Sequence, residues 1–456
     1  MDIQEVLTLA DNLIFASTGK HLDHLQKAIL EGTLQGQTYT KIAEDIHSSE
    51  GHIRDLGSEI WRIFSKEFGE TVNKSNFRAI LEKAKFYNYS SAIVSNTVTV
   101  NNVNICSEGR GTQAQQRDED RVCVDWGDAP EILTFYGRQQ EENCLTEWMI
   151  KKCCRFITIL GMSGVGKTSL ALHCVEPIKS EFNTIIYRSL RFYPKLEDIL
   201  THCLEILSES SIIPPTLDAK LTQFFKYLRQ SRCLIILDDV QMLFAPQELA
   251  GCYQTGYDNY GLFFKQMAEV SHQSCLMLLS SEKPREIAEL ELEQDSICSL
   301  VLGGLGEASQ HLLRDQKLKD EAEWHQLIQL YQGHPLGLKL TAALIREFFG
   351  GCVTEFLRCS SPILCEPLQF QINQQLKRLT LLEIKIINHL VNENEPLNLA
   401  QISDKVQVSY AEVLSGLQSL NLRLLLKKEE KNYIKSFTID PLFRYLFNNS
   451  NVLKNS

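Results

Sequence analysis

The chain is short of the features that would send it to a membrane, a metal or nucleic acid. No apolar run in its 456 residues approaches the ~20 needed to span a bilayer. The opening Met1-Asp2-Ile3-Gln4-Glu5 is acidic and lacks the basic-then-apolar order of a signal peptide, so a cytoplasmic location is expected. Acidic residues outnumber basic ones, 57 to 46, and the net charge of −11 offers no global attraction to phosphate polymers or anionic lipid. Any DNA contact would need a local basic patch. The 14 cysteines contain no Cys-x-x-Cys pair, and several sit in apolar runs (Cys233, Cys275). They read as reduced thiols acting as small hydrophobes, which excludes a disulfide scaffold. No internal repeat is present.

What is present is a loop. Gly161, Met162, Ser163, Gly164, Val165, Gly166, Lys167, Thr168 and Ser169 follow the apolar run Phe156–Leu160 and open a helix. A nucleoside triphosphate needs backbone N–H groups converging on its phosphates, and small residues let the main chain come close enough. In this pattern Lys167 reaches the β- and γ-phosphates and the Thr168 hydroxyl ligates Mg²⁺. The strand Cys233–Leu237 ends in Asp238-Asp239. A phosphate loop needs such a carboxylate partner, so Asp238 is expected at the metal and Asp239 at the attacking water. A further apolar run ends in Ser280-Ser281, where a polar side chain can report the γ-phosphate. Arg285, one helical turn on, is a candidate substitute.

Around the loop the pattern divides the chain. Residues 1–85 read as helical, with a short helix at 38–46, a turn at His47-Ser48 and a longer helix capped by Ser49, the layout of a helix-turn-helix. Residues 86–124 are polar and read as a linker, with a short strand at Thr97–Val100. Residues 125–302 alternate strands (155–160, 184–188, 233–237, 275–280, 298–302) with helices. This predicts an α/β fold, a parallel sheet covered on both faces. Residues 303–368 read as a helical subdomain. Residues 369–450 carry capping boxes at Thr380–Glu383 and Ser409–Glu412, then a charged turn at 427–431 before a strand at 434–439, a winged helix.

Together these segments resemble the NB-ARC class of signal-transduction ATPases with numerous domains (STAND), over roughly residues 125–450. Phe135-Tyr136-Gly137-Arg138, followed by Glu141, is similar to the family's adenine-side motif. Gly333-His334-Pro335-Leu336 is similar to its Gly-Leu-Pro-Leu motif, with His334 as the departure. The resemblance implies that Phe135, Tyr136, Gly137, Arg138, Ser280 and Pro335 join the phosphate loop in binding ADP or ATP. It further implies an ADP/ATP switch with slow hydrolysis, with Lys167 and Asp239 as the catalytic groups. Asp125–Pro130 and the helix-turn-helix resemble a bacterial subgroup common in cyanobacteria, many of whose members carry β-propeller repeats after the winged helix. Here no repeat sensor is expected.

Two positions depart from the family. Ser281 stands where it usually has an arginine, and Ile439, before Asp440, stands where its Met-His-Asp motif has the histidine. The expected ligands are an adenine nucleotide and Mg²⁺, with nucleotide-dependent self-association as a further expectation. In the helix-turn-helix, Ser49–Trp61 carries Glu50, Asp55 and Glu59 against Arg54, which favours a protein partner over DNA. An ATP-regulated DNA-binding regulator is the alternative.

Overall fold

The computed structural model describes residues 22–34, 37–46, 48–68, 74, 77, 122–208, 212–359, 366–393, 395–431 and 434–448. The expected strand at 97–100 lies outside them. The chain divides into two compact units, Met1–Ile93 and Val94–Ser456.

In the first unit, α1 (His24–Leu34), α2 (Tyr39–Asp45) and α3 (Glu50–Phe68) pack around Ile29, Ile42, Ile53, Ile60 and Phe64. Thr38 caps α2 by accepting the Lys41 amide, and Ser49 accepts the His52 amide at 3.3 Å to start α3. Trp61 donates its indole N–H to the Tyr39 hydroxyl at 2.7 Å, pinning α3 to α2.

The second unit is built on a parallel sheet of six strands: β1 (Cys123–Asp125), β2 (Phe156–Leu160), β3 (Thr184–Ser189), β4 (Cys233–Asp238), β5 (Cys275–Ser280) and β6 (Ile297–Val301). β2, β4 and β5 are buried along their whole length, which is why they read as unbroken apolar runs. Alternate residues serve opposite faces. Phe156, Leu276 and Leu278 join one core, while Ile157, Ile159, Met277 and Leu279 join the other. The first face is covered by α6 (Leu196–Leu207), α7 (Leu217–Gln230) and α8 (Asn259–Glu269). The second carries α4 (Gln139–Thr146) and α5 (Lys167–Val175).

Strand β1 takes in Cys123 and Val124, the last two residues of the stretch read as linker, together with Asp125. Its three residues pair with Thr184–Ile186, so the partner strand rather than local composition decides their state.

The strand order β1-β3-β4-β5-β2-β6 places β5 between the phosphate-loop strand and the Asp-Asp strand. In open parallel sheets ligands collect beyond the carboxyl ends of the strands where the order reverses. Here that point is the end of β2.

Beyond β6, after the short helix α9 (Arg285–Leu290) between β5 and β6, come α10 (Ser309–Asp315), α11 (Trp324–Leu330), α12 (Pro335–Phe348) and α13 (Val353–Leu357). They are followed by α14 (Glu366–Leu376), α15 (Leu381–Asn392), β7 (Leu397–Asn398), α16 (Leu399–Val406) and α17 (Tyr410–Leu422). β8 (Leu426–Lys431), β9 (Ile434–Ile439) and α18 (Pro441–Asn448) close the order. Both expected capping boxes are formed, and Asn398–Gln401 makes a third. The run 427–431, expected as a turn, is a strand: Lys427 to Lys431 pair with Thr438 to Ile434. Charged side chains are tolerated there because cross-strand pairing outweighs their low strand propensity.

Candidate nucleotide site

The phosphate loop leaves β2 at Gly161, whose amide donates to the Ser280 carbonyl of β5 at 3.2 Å. Gly164 and Gly166 have φ of 80° and 100°, which a side chain would strain. A Cβ on Gly164 would stand 2.6 Å from Leu336 Cδ2, so the loop accepts α12 only because the atom is missing.

Lys167, the first residue of α5, is 9% exposed, and its ammonium donates to the carbonyls of Gly161 (2.9 Å) and Met162 (3.1 Å). Burial lowers its pKa against the pull of Asp238 and Asp239. Thr168 donates its hydroxyl to Asp238 Oδ2 at 2.5 Å, and the Tyr187 hydroxyl donates to the same oxygen at 2.9 Å. Asp238 is buried and its pKa is raised, first by desolvation and then by the neighbouring Asp239. Desolvation also pushes the Tyr187 phenol up.

A buried ammonium that, among the described residues, is answered by carbonyl oxygens alone, beside a glycine cradle, fits an anionic ligand. A hydroxyl joined to a carboxylate is the hard-oxygen pair that Mg²⁺ takes.

Asp239 takes other partners. Its backbone is left-handed (φ 57°) and its Oδ2 accepts from Arg191 Nε (3.2 Å) and Ser189 Oγ (3.3 Å). Arg191 was not singled out in the sequence, and neither was Gln241. The Gln241 amide donates to Asp239 Oδ1 at 3.1 Å, while its oxygen accepts the Ser281 amide at 3.1 Å and the Ser280 hydroxyl at 3.4 Å. Ser280 also donates to the Glu282 carbonyl at 2.6 Å.

The adenine-side residues are engaged with the protein. Arg138, left-handed at φ 73° after Gly137 at φ 63°, donates to the carbonyls of Val165 (3.1 Å) and Gly303 (2.7 Å) and pairs with Glu141 at 2.8 Å. It therefore ties the phosphate loop to the chain leaving β6. Phe135 stacks on His173 at 4.0 Å, and Tyr136 donates to Asp315 at 2.8 Å.

Pro335 is the first residue of α12, and the residue before it, noted above as a departure, turns out to be a contact. His334 Nδ1 accepts the Gly337 amide at 3.2 Å, and Nε2 lies 3.0 Å from the Ser163 carbonyl of the phosphate loop. Burial pushes its pKa down to about 4, so the ring is neutral.

The winged helix reaches the residues just past the carboxyl end of β5 through a buried ion network. Arg423 donates to Glu282 (2.8 Å), Glu383 (2.9 Å) and the Glu248 carbonyl (2.6 Å), and Arg378 lies 3.3 Å from Glu282. Ser419 donates to Glu383 at 2.6 Å. Arg285, the expected substitute phosphate sensor, donates instead to the Ala250 carbonyl at 2.6 Å. Ile439 is buried in the winged-helix core, and Asp440 caps α18 and pairs with Lys427 at 3.2 Å. Among the described residues no cluster of three or more His, Cys, Asp or Glu could hold a metal, and no helix is long and apolar enough to cross a membrane.

Fold and site define a P-loop nucleotide-binding protein. Residues 138–253 match the NB-ARC domain model, and residues 1–84 match the model described as the vWA-MoxR associated protein N-terminal HTH. The chain thus carries an NB-ARC domain over residues 138–253 and a helix-turn-helix domain over residues 1–84. An uncharacterized WD repeat-containing protein of Nostoc sp. strain PCC 7120 is 37% identical over 337 residues. That match covers 70% of this chain but 27% of the relative, so the chain spans about a quarter of the relative's length. Among solved structures, a Walker-type ATPase of Pyrococcus abyssi aligns with a TM-score of 0.49 at 15% identity, over 69% of this chain and 96% of that one. A STAND protein of Pyrococcus horikoshii with a tetratricopeptide repeat sensor aligns with a TM-score of 0.37 at 17% identity, over 72% and 44% respectively.

Proposed function

We propose that this chain is an adenine-nucleotide switch of the cytoplasm that binds ADP or ATP with Mg²⁺ and hydrolyses ATP slowly. The observation that carries the reading is Lys167, buried at the head of α5 with two loop carbonyls as its acceptors and, among the described residues, no carboxylate within ion-pair reach. A phosphate would complete its shell. Thr168 and Asp238 would hold Mg²⁺, which when bound neutralises phosphate charge.

The residues of the chain then do the rest. The glycine loop presents its amides, Arg138 fixes the loop from behind, and His334 with Pro335 brings α12 against it. Ser280 and Ser281 stand at the end of β5 beside the loop. Slow turnover follows from the residues at hand: no arginine occupies position 281, and Arg285 is spent on a carbonyl. The switch reading draws on His334 and Arg423, which tie the helical segment and the winged helix to the nucleotide domain by polar contacts rather than by apolar packing alone. A ligand that distinguishes two such arrangements shifts their balance by its differential affinity.

Protein purified without added nucleotide is to be denatured and the released small molecules identified by chromatography. Near-stoichiometric ADP is the expected result. Protein that is empty and also fails to bind a fluorescent ADP with Mg²⁺ would overturn the reading.

Residues 1–85 would carry the output to a protein partner, because the outward face of α3 mixes Arg54 and Arg62 with Asp55 and Glu59 and Arg54 is already paired with Glu50 at 2.6 Å. Salt-sensitive binding to duplex DNA would reverse that assignment. Self-association in ATP, absent in ADP, is expected by light scattering.

A further inference from the structure

Asp238 and Asp239 adjoin at the end of β4 yet take different partners. Asp238 is held by Thr168 of the phosphate loop, whereas Asp239 is held by the segment just past β3. The register Ser189↔Asp238 explains the second contact, since it sets Arg191 two residues beyond the strand end and next to Asp239.

We propose that Arg191 is a positioning residue that keeps Asp239 from activating water, so that this ion pair restrains ATP hydrolysis in the conformation described here. The inference rests on the nucleotide reading above and deepens it by naming how the same site is regulated.

The occupancy of the carboxylate is the first ground. Asp239 Oδ2 accepts hydrogen bonds from Arg191 Nε at 3.2 Å and Ser189 Oγ at 3.3 Å, and Arg191 Nη2 lies within ion-pair distance of it at 3.2 Å. Two donors occupy both lone pairs of that oxygen. Oδ1 already receives Gln241 at 3.1 Å. A general base must hold its water at about 2.6–3.2 Å, and the left-handed backbone of Asp239 aims the group at β3's end instead.

The second ground is a route of release. Gln241 joins Asp239 to the Ser280-Ser281 end of β5, which adjoins the phosphate loop through the Gly161 amide. A γ-phosphate arriving there competes for the Ser281 amide that Gln241 now accepts, and so loosens one of the contacts that hold Asp239.

Exposure is the third. The Arg191 side chain is 49% exposed, so its pair with Asp239 is of the breakable kind rather than a fixed structural bridge. In the step so governed, a water oxygen attacks the γ-phosphorus and the bond to the β–γ bridging oxygen breaks. ADP leaves, and the water proton passes to Asp239 and then to solvent.

The test uses the full chain, Arg191→Ala, Arg191→Lys, Asp239→Asn and the double variant Arg191→Ala/Asp239→Asn. It measures affinity for a fluorescent ATP analogue with Mg²⁺ and single-turnover hydrolysis of ATP. Arg191→Ala is expected to bind as the parent does and to hydrolyse about fivefold faster, the factor that a half-exposed ion pair can impose on a two-state balance. Arg191→Lys falls between, and the gain disappears in the double variant. A merely structural arginine would lower the melting temperature without raising the rate. Hydrolysis by Arg191→Ala at or below the parent rate, with nucleotide bound normally, overturns the inference and leaves the nucleotide reading standing. Loss of binding in Arg191→Ala also overturns it, by making Arg191 a ligand. A parent chain that binds no nucleotide overturns the underlying reading as well.

Discussion

His334 holds Ser163 from across the site, its Nε2 donating to the Ser163 carbonyl at 3.0 Å while Nδ1 accepts the Gly337 amide at 3.2 Å. An amide N–H can only donate, so Nδ1 must be the bare nitrogen and Nε2 the protonated one. One neutral imidazole therefore starts α12 and clasps the phosphate loop. A protonated ring would set N–H against N–H.

Stability should fall as acid is added. Burial holds His334 at about 4 when folded against 6.5 for a solvated histidine, so between those values the unfolded chain binds the extra proton. Going from pH 7 to pH 5 should remove about 2 kcal/mol on this account. His334→Asn keeps a capping side chain and abolishes the titration. Its unfolding free energy, followed by urea melts at several pH values, should decline less steeply than that of the parent.

Lys167→Met should separate binding from folding. Removing a buried ammonium spares the nucleotide-free protein a desolvation cost, so its melting temperature should hold or rise. Affinity for ADP, measured by titration calorimetry, should drop about a hundredfold, as expected for losing charge-assisted bonds to phosphate. A variant that binds ADP like the parent would remove Lys167 from the site.

Arg423→Met takes from the buried Glu383 its cation and leaves Glu282 with Arg378 alone. Leaving a buried charge unpaired costs about 3–5 kcal/mol. Adding Glu282→Gln and Glu383→Gln to the same chain should recover most of that loss in denaturant titrations. Failure of the triple variant to recover would mean that Arg423 acts through packing alone.

Gly164→Ala should weaken the seat of α12 by about 1–3 kcal/mol, since φ is 80° and the added methyl meets Leu336 at 2.6 Å. Hydrogen exchange of the α12 amides reads this directly, and unchanged protection would contradict the contact.

The sheet and the phosphate loop were legible because their causes are local. β2, β4 and β5 are buried on both faces and so appear as continuous apolar runs, and the loop is a contiguous string of small residues between a strand and a helix. The winged helix announced itself through Thr380–Glu383 and Ser409–Glu412, again within one turn. What escaped depends on distant partners: Arg191 meets Asp239 across 48 positions, Arg423 meets Glu282 across 141, and His334 meets Ser163 across 171. Nothing in the neighbourhood of these residues distinguishes them from solvated surface. Lys427–Lys431 misled for a related reason, because pairing with β9 overrode a composition that suggests a turn.

Arg378 and Arg423 facing Glu282 and Glu383 make a balanced set of charges kept away from water where β5 meets the winged helix. Any motion that parts these surfaces returns two guanidinium groups and two carboxylates to solvent, and the hydration they regain offsets much of the attraction they give up. An oily contact of equal area would have no such compensation. The seam is therefore exacting about register while dry and easily left once wet, the behaviour of a hinge stop rather than of a weld.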